Sequence, residues 1–90
     1  MTDSNVESLL EFPCEFPIKM MGRNSESFHQ TAISLVEVHA GKLPEEAIRI
    51  ATSSNGNFLS LTVTINAESQ EQLDNIYRAL TAHDDILVAL

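Results

Sequence analysis

The stretch Ile48-Arg49-Ile50-Ala51-Thr52-Ser53-Ser54-Asn55-Gly56-Asn57-Phe58-Leu59-Ser60-Leu61-Thr62-Val63-Thr64-Ile65-Asn66 decides the fold. Asn55-Gly56 is a strong short-range hairpin signal, and it lies between two runs that read as strands, residues 47–53 and 58–66. A two-residue loop sets Ser54 against Asn57, Ile50 against Leu61 and Ile48 against Val63. The last two pairs are apolar on both sides. The alternate pairs, Arg49 with Thr62 and Ala51 with Ser60, are polar or small. A slip of one residue would mix the two sets. In the second run Leu59, Leu61, Val63 and Ile65 alternate with Ser60, Thr62, Thr64 and Asn66, so one sheet face is buried and the other meets water. The turn is expected to be type I′, with positive φ at both Asn55 and Gly56.

Downstream, Ser69 and Gln72 form a capping box that opens a helix over 70–82. Leu73, Ile76, Tyr77 and Leu80 make its apolar stripe, and Asp74 and Arg78 are an expected i, i+4 pair. Residues 86–90 read as a last short strand, whose loss should destabilise the domain. Upstream, residues 16–21 read as the first strand, with Phe16, Ile18 and Met20 inward and Lys19 and Met21 outward. Pro17 stands at its start and Gly22 is expected to end it. Pro13 and Pro17 forbid a regular strand between them, since neither can donate a ladder hydrogen bond. A helix follows over 25–39, capped by Asn24 or Ser25. Phe28, Ala32, Leu35, Val36 and His39 form its stripe, Gly41 its stop, and Pro44 lies just beyond.

The order is β-α-β-β-α-β. Right-handed crossovers give an α+β, ferredoxin-like two-layer sandwich: an antiparallel four-stranded sheet of order 4-1-3-2 with both helices on one face. Helices on opposite faces would need apolar residues on both sides of the hairpin, and the alternation over 59–66 argues against that. Residues 16–90 form the single domain. Residues 1–15 read as an N-terminal arm, with a helical turn from Ser4 through Leu10 and with Leu9, Leu10 and Phe12 folded back on the domain.

Thirteen acids against five bases give a formal charge of −8. Phosphate recognition needs clustered cations, so nucleic acid and anionic membrane surfaces are poor partners. The acidity serves solubility. One cysteine, Cys14, permits neither an internal disulfide nor a cysteine-based zinc site. No signal peptide or membrane span is legible, and a cytoplasmic location is expected. His29 and His39 are ten residues apart on one helix, too far to share an ion, and His83-Asp84-Asp85 reads as a polar helix exit. No metal or cofactor is expected. Hydrolases of the acylphosphatase type use an arginine after the first strand, where this chain has Gly22-Arg23-Asn24. A phosphate cradle needs several converging backbone N–H groups and usually more glycine. The outward positions Lys19, Met21, Ser60, Thr62 and Thr64 include no aromatic for base stacking.

Leu9-Leu10-Glu11-Phe12-Pro13, Phe16, Lys19, Met21-Gly22 and the run Ser53-Ser54-Asn55-Gly56-Asn57-Phe58 with Ser60 together resemble the YbeD-like family of small bacterial proteins. The resemblance covers nearly the whole chain. It implies a ferredoxin-like fold similar to the ACT regulatory domains that bind small molecules in amino-acid metabolism. It implies no catalytic residues, because the family has none assigned, and no role for Cys14 or Pro17.

These readings converge on a non-enzymatic, ACT-like regulatory or binding domain that senses a small anionic metabolite or modulates a metabolic enzyme, with a protein-interaction adaptor as the alternative, and they give two candidate sites. The first is the loop Gly22, Arg23 and Asn24. There a helix N-terminus offers free N–H groups to a small carboxylate and Arg23 offers a bidentate partner. The second is the open sheet face. Lys19 and Arg49 flank Thr62 on it, with Met21, Ala51 and Leu87 as its apolar members. That face suits a protein partner or a second copy, the mark of an adaptor with no small-molecule ligand.

Overall fold

In the computed structural model residues 11–90 are described. Strand β1 spans Cys14–Arg23, helix α1 Glu26–Ala40, strand β2 Ile48–Thr52, strand β3 Phe58–Ala67, helix α2 Gln70–Thr81 and strand β4 Val88–Ala89. A single 3-10 turn, Glu45–Ala47, leads into β2. The sheet order is β2-β3-β1-β4, which is the expected 4-1-3-2 taken from the other edge. The fold is therefore the ferredoxin-like βαββαβ sandwich. The expected helical turn from Ser4 to Leu10 lies outside the described residues. Phe12, half-buried, packs against the core.

The hairpin register agrees with the sequence pairing by pairing: Ile48 with Val63, Arg49 with Thr62, Ile50 with Leu61, Ala51 with Ser60. Its turn differs. Gly56 alone in this loop has positive φ, at 79°, and no non-glycine residue among those described does, which rules out type I′. The Gly56 N–H donates to the Ser53 carbonyl at 2.9 Å, so the tight turn is centred on Ser54 and Asn55. Side chains hold it there. The Asn55 Oδ1 accepts from the Ser53 hydroxyl and the Asn57 N–H, while the Ser53 Oγ accepts from the Phe58 N–H. Asx and serine turns of this kind give the backbone an alternative to the primed turn. The longer loop is symmetric about the same point, so the register is unchanged.

Strand β1 is longer than the expected 16–21. It starts at Cys14, which takes Cys14 and Glu15 out of the arm, and runs through Gly22 to Arg23. Pro17 sits inside it, opposite Thr64. Strand parity explains the tolerance. The Lys19 N–H donates to the Leu90 carbonyl, so it points toward β4. Two residues earlier, position 17 points the same way, but β4 pairs only with Met20 and Met21. Among the described residues no strand waits there for the N–H that proline lacks.

Strand β4 is assigned to Val88 and Ala89 alone, shorter than the expected 86–90. Its hydrogen bonds nonetheless run from Leu87 to Leu90. Val88 pairs with Met21, so Val88 lies on the open face. Leu90, hydrogen-bonded to Lys19, shares that parity. Leu87, placed on the open face from sequence, instead lines a cavity with Phe28 at the strand ends.

The core lies between the sheet and the helices. Ile18, Met20, Leu61 and Val63 from the sheet meet Phe28, Ala32 and Val36 of α1 and Leu73, Ile76 and Leu80 of α2, all buried. Helix α1 is capped by Ser25, whose Oγ accepts from the Phe28 N–H at 3.1 Å. Ser69 caps α2 in the same way through Gln72, whose side chain reaches back to the Glu68 N–H. Asp74 and Arg78 do not pair. Gln70 donates to Asp74 and Arg78 donates to Asn75, neighbours at equally short helical spacing. Ile50 has the inward parity of its partner Leu61 but is 54% exposed, because it lies on the edge strand beyond the cover of α1.

Candidate functional site

The three loop residues singled out from sequence point to three different places. Gly22 is buried. A Cβ there would lie 2.7 Å from the Asp85 carbonyl oxygen and meet the Phe28 ring, so glycine is required for the close approach of α1 and the α2–β4 loop to β1. Arg23 lies at the end of β1 with its guanidinium 5.9 Å from the centre of the Phe58 ring, a cation–π contact. Asn24 is tied to the hairpin tip. Its N–H donates to the Asn57 carbonyl and its side-chain amide to the Gly56 carbonyl, both at 2.9 Å.

The start of α1 is furnished with a carboxylate from the chain itself. The Ser27 hydroxyl donates to the Asp85 Oδ2 at 2.7 Å. A cavity of about 240 Å³ opens beside it, lined by Arg23, Ser25, Phe28, Asp84, Asp85 and Leu87. Two acids beside one arginine make this a cavity of mixed charge. His83 is part of the same loop, and its Nδ1 accepts from the Asp85 N–H. The loop is held by hydrogen bonds of its own, which accords with a polar helix exit.

The open sheet face brings Lys19, Met21, Arg49, Ala51 and Thr62 together, with Val88 in the place expected for Leu87. The cross-strand pairings give a row Arg49–Thr62–Lys19 and, next to it, a row Ala51–Ser60–Met21–Val88. With strands about 4.8 Å apart, Arg49 and Lys19 have Cα positions about 10 Å apart with Thr62 between them. Met21 is 40% exposed, Val88 41% and Leu90 69%. A shallow depression of about 140 Å³ opens beside Met21, Ala51, Phe58 and Ser60.

Two members of this face escaped the sequence reading. Phe58 pairs with Arg23, which puts both on the outward side. Extending the alternation of residues 59–66 by one position would have found Phe58. Sequence places Arg23 in a loop because Gly22 reads as the strand end, whereas β1 continues through Gly22 to Arg23. The face thus carries Lys19, Arg23 and Arg49, three of the five basic residues. Among the described residues its one strand acid is Glu15, opposite Asn66 at the far end.

Comparison with known proteins begins with a family profile described as protein of unknown function (DUF493), which matches residues 7–90. The chain belongs to the DUF493 family. Relatives within it carry the description UPF0250 protein, the YbeD-like group of the resemblance. One from Paraburkholderia phytofirmans is 46% identical over 84 residues, 93% of this chain and 94% of the relative. One from Neisseria gonorrhoeae is 46% identical over 86 residues, 96% of this chain and 94% of the relative. One from a Janthinobacterium is 53% identical over 77 residues, 86% and 85% of the two chains. Among solved structures, the solution structure of protein HP0495 from H. pylori superposes with a TM-score of 0.68. It is 18% identical and covers 90% of this chain and 85% of its own, which shows the fold alone. DUF493 membership supplies the bacterial relatives, and the family description names no activity. Among the described residues no helix is long and apolar enough to cross a membrane.

Proposed function

We propose that this DUF493 protein is a non-enzymatic binding module that docks a protein partner on the open face of its sheet. The observation that carries this reading is the outward row Arg49–Thr62–Lys19 beside the half-exposed Met21 and Val88. A chain of charge −8 places three of its five cations on one face, next to the exposed Met21 and Val88. Complementary potentials of this kind steer encounter and fix register, and a mixed apolar and polar patch is the ordinary composition of a docking surface. Among the described residues, no helix or loop covers this sheet face.

A photo-crosslinking residue at Thr62 in living cells tests the proposal, with Gln30 on the exposed side of α1 as the control position. Thr62 should give a discrete adduct that Lys19→Glu combined with Arg49→Glu removes. Adducts identical at both positions, or unchanged by the charge reversal, would return the face to plain solvated surface.

A second reading rests on the cavity beside Arg23. It is that of an ACT-like regulatory domain sensing a small metabolite. Asp84 and Asp85 shift the expected ligand from a simple carboxylate toward one that also carries a cationic group. A thermal-shift screen of amino acids against simple carboxylates tests it. A rise in midpoint confined to zwitterions supports this reading, and a flat screen eliminates it.

A further inference from the structure

The open face can be read for the shape of its occupant, and the reading that follows rests on the docking proposal above. Three outward residues succeed one another on β1: Lys19, Met21 and Arg23. Alternate residues of a strand are about 6.7 Å apart, so a cation stands on each side of Met21 at that distance along the strand. The apolar depression formed with Ala51, Phe58 and Ser60 opens beside Met21. The site is therefore an apolar anchor centred on Met21, with Val88 beside it, bracketed along β1 by two positive charges. Arg49 adds a third, two strands away.

We infer that the occupant is an acidic amphipathic helix of a partner protein, lying along β1. Its pattern is acid-x-x-x-apolar-x-x-x-acid. Three considerations select it. The charge is complementary, because the cations of the face meet carboxylates. The spacing agrees: residues four apart on a helix rise about 6 Å and stay on one side, close to the 6.7 Å step between Lys19, Met21 and Arg23. The backbone requirement excludes an extended peptide. A strand laid flat on a sheet face has no ladder to join, so its own N–H and C=O groups would be covered without partners, whereas a helix satisfies them internally. Arg23 is already held over the Phe58 ring, so part of the cost of ordering that side chain is met before binding.

The probes are three alanine-rich helical peptides with a central leucine, carrying glutamate, glutamine or lysine at the positions four before and four after it. Binding to the uniformly labelled protein is followed by amide chemical shifts. The glutamate peptide should shift the amides of Lys19, Met21, Arg23, Ser60 and Thr62 and bind on the order of tenfold more tightly than the glutamine peptide. That preference should fall as salt is raised. Lys19→Glu with Arg23→Glu should reverse the order and favour the lysine peptide, with retained spectral dispersion as the control for folding. Equal binding of the glutamate and lysine peptides overturns acid recognition while leaving the docking face intact. Shifts confined to the helices, or absent, overturn the helix proposal. The docking face then stands or falls by crosslinking at Thr62.

Discussion

Strand β3 meets two environments on its two sides. Leu59, Leu61, Val63, Ile65 and Ala67 are buried under the helices, while Phe58, Ser60, Thr62 and Thr64 on the other side are only half-covered. The backbone is the same, and the partners in β1 and β2 are matched residue by residue. What separates the sides is helix cover. The covered side holds the stability of the domain, because burial of apolar area is the main favourable contribution to folding. The uncovered side holds its small hydroxyls, its cations and a few half-exposed apolar groups. Those residues are free to be chosen for recognition, since few of them hold the fold together.

Adjacent substitutions break the comparison most directly. Leu61→Ala should cost about 2–5 kcal/mol, and Thr62→Ala under about 1 kcal/mol. Both are measured from urea midpoints at constant slope. Equal costs would mean that the two sides of β3 are energetically alike. Next in size is Gly22→Ala on β1. The added methyl group must displace the Phe28 ring or the Asp85 carbonyl, so a loss of about 1–3 kcal/mol is expected. A neutral outcome would show that the β1 end of the covered side is loosely packed.

The smallest effect concerns the residue that links the two sides. Tyr77 on α2 donates its hydroxyl to the Leu90 carbonyl at 2.6 Å. Burial raises its pKa above the ordinary 10.0. Folding therefore favours the neutral phenol. The associated stability is fully present below about pH 10 and is lost as pH rises through the folded-state value. Melting temperature followed from neutral to strongly alkaline pH should fall in that window, and Tyr77→Phe should remove that part of the fall. An unchanged alkaline limb in Tyr77→Phe would show that Tyr77 does not join the sides.

The fold was legible because its decisive signals are local and agree with one another. The alternation of residues 59–66, the serine caps at 25 and 69 and the apolar stripes of both helices each name the same topology. The rest was illegible where the outcome depends on a neighbour distant in sequence. Pro17 is tolerated because β4 stops short of it. Ile50 is exposed because α1 does not extend over it. The turn is centred on Ser54 and Asn55 because Ser53 and Asn55 side chains compete with the Asn-Gly preference. At the candidate sites, Lys19, Met21, Arg49 and Thr62 follow from parity alone. Phe58 follows from one more step of the β3 alternation, whereas Arg23 needed the true end of β1. The Gly22 loop looked open because neither Asp85 nor the hairpin tip could be placed beside it.

The central pairing of the sheet also bears on how quickly the chain reaches this state. Strand β1 pairs with β3 from Arg23 with Phe58 to Cys14 with Ala67, separations of 58 − 23 = 35 to 67 − 14 = 53 residues. Every one of these contacts closes a long loop, and the chain entropy of closure is lost before the ladder returns any energy. The β2–β3 hairpin has no such handicap. Mixed domains dominated by distant pairings refold more slowly than helical bundles of similar length, so the arrival of β1 between β3 and β4 should set the rate-limiting step. Until then the edge of β3 that β1 will occupy is an unpaired strand edge with an apolar side, the kind of surface on which partly folded chains associate.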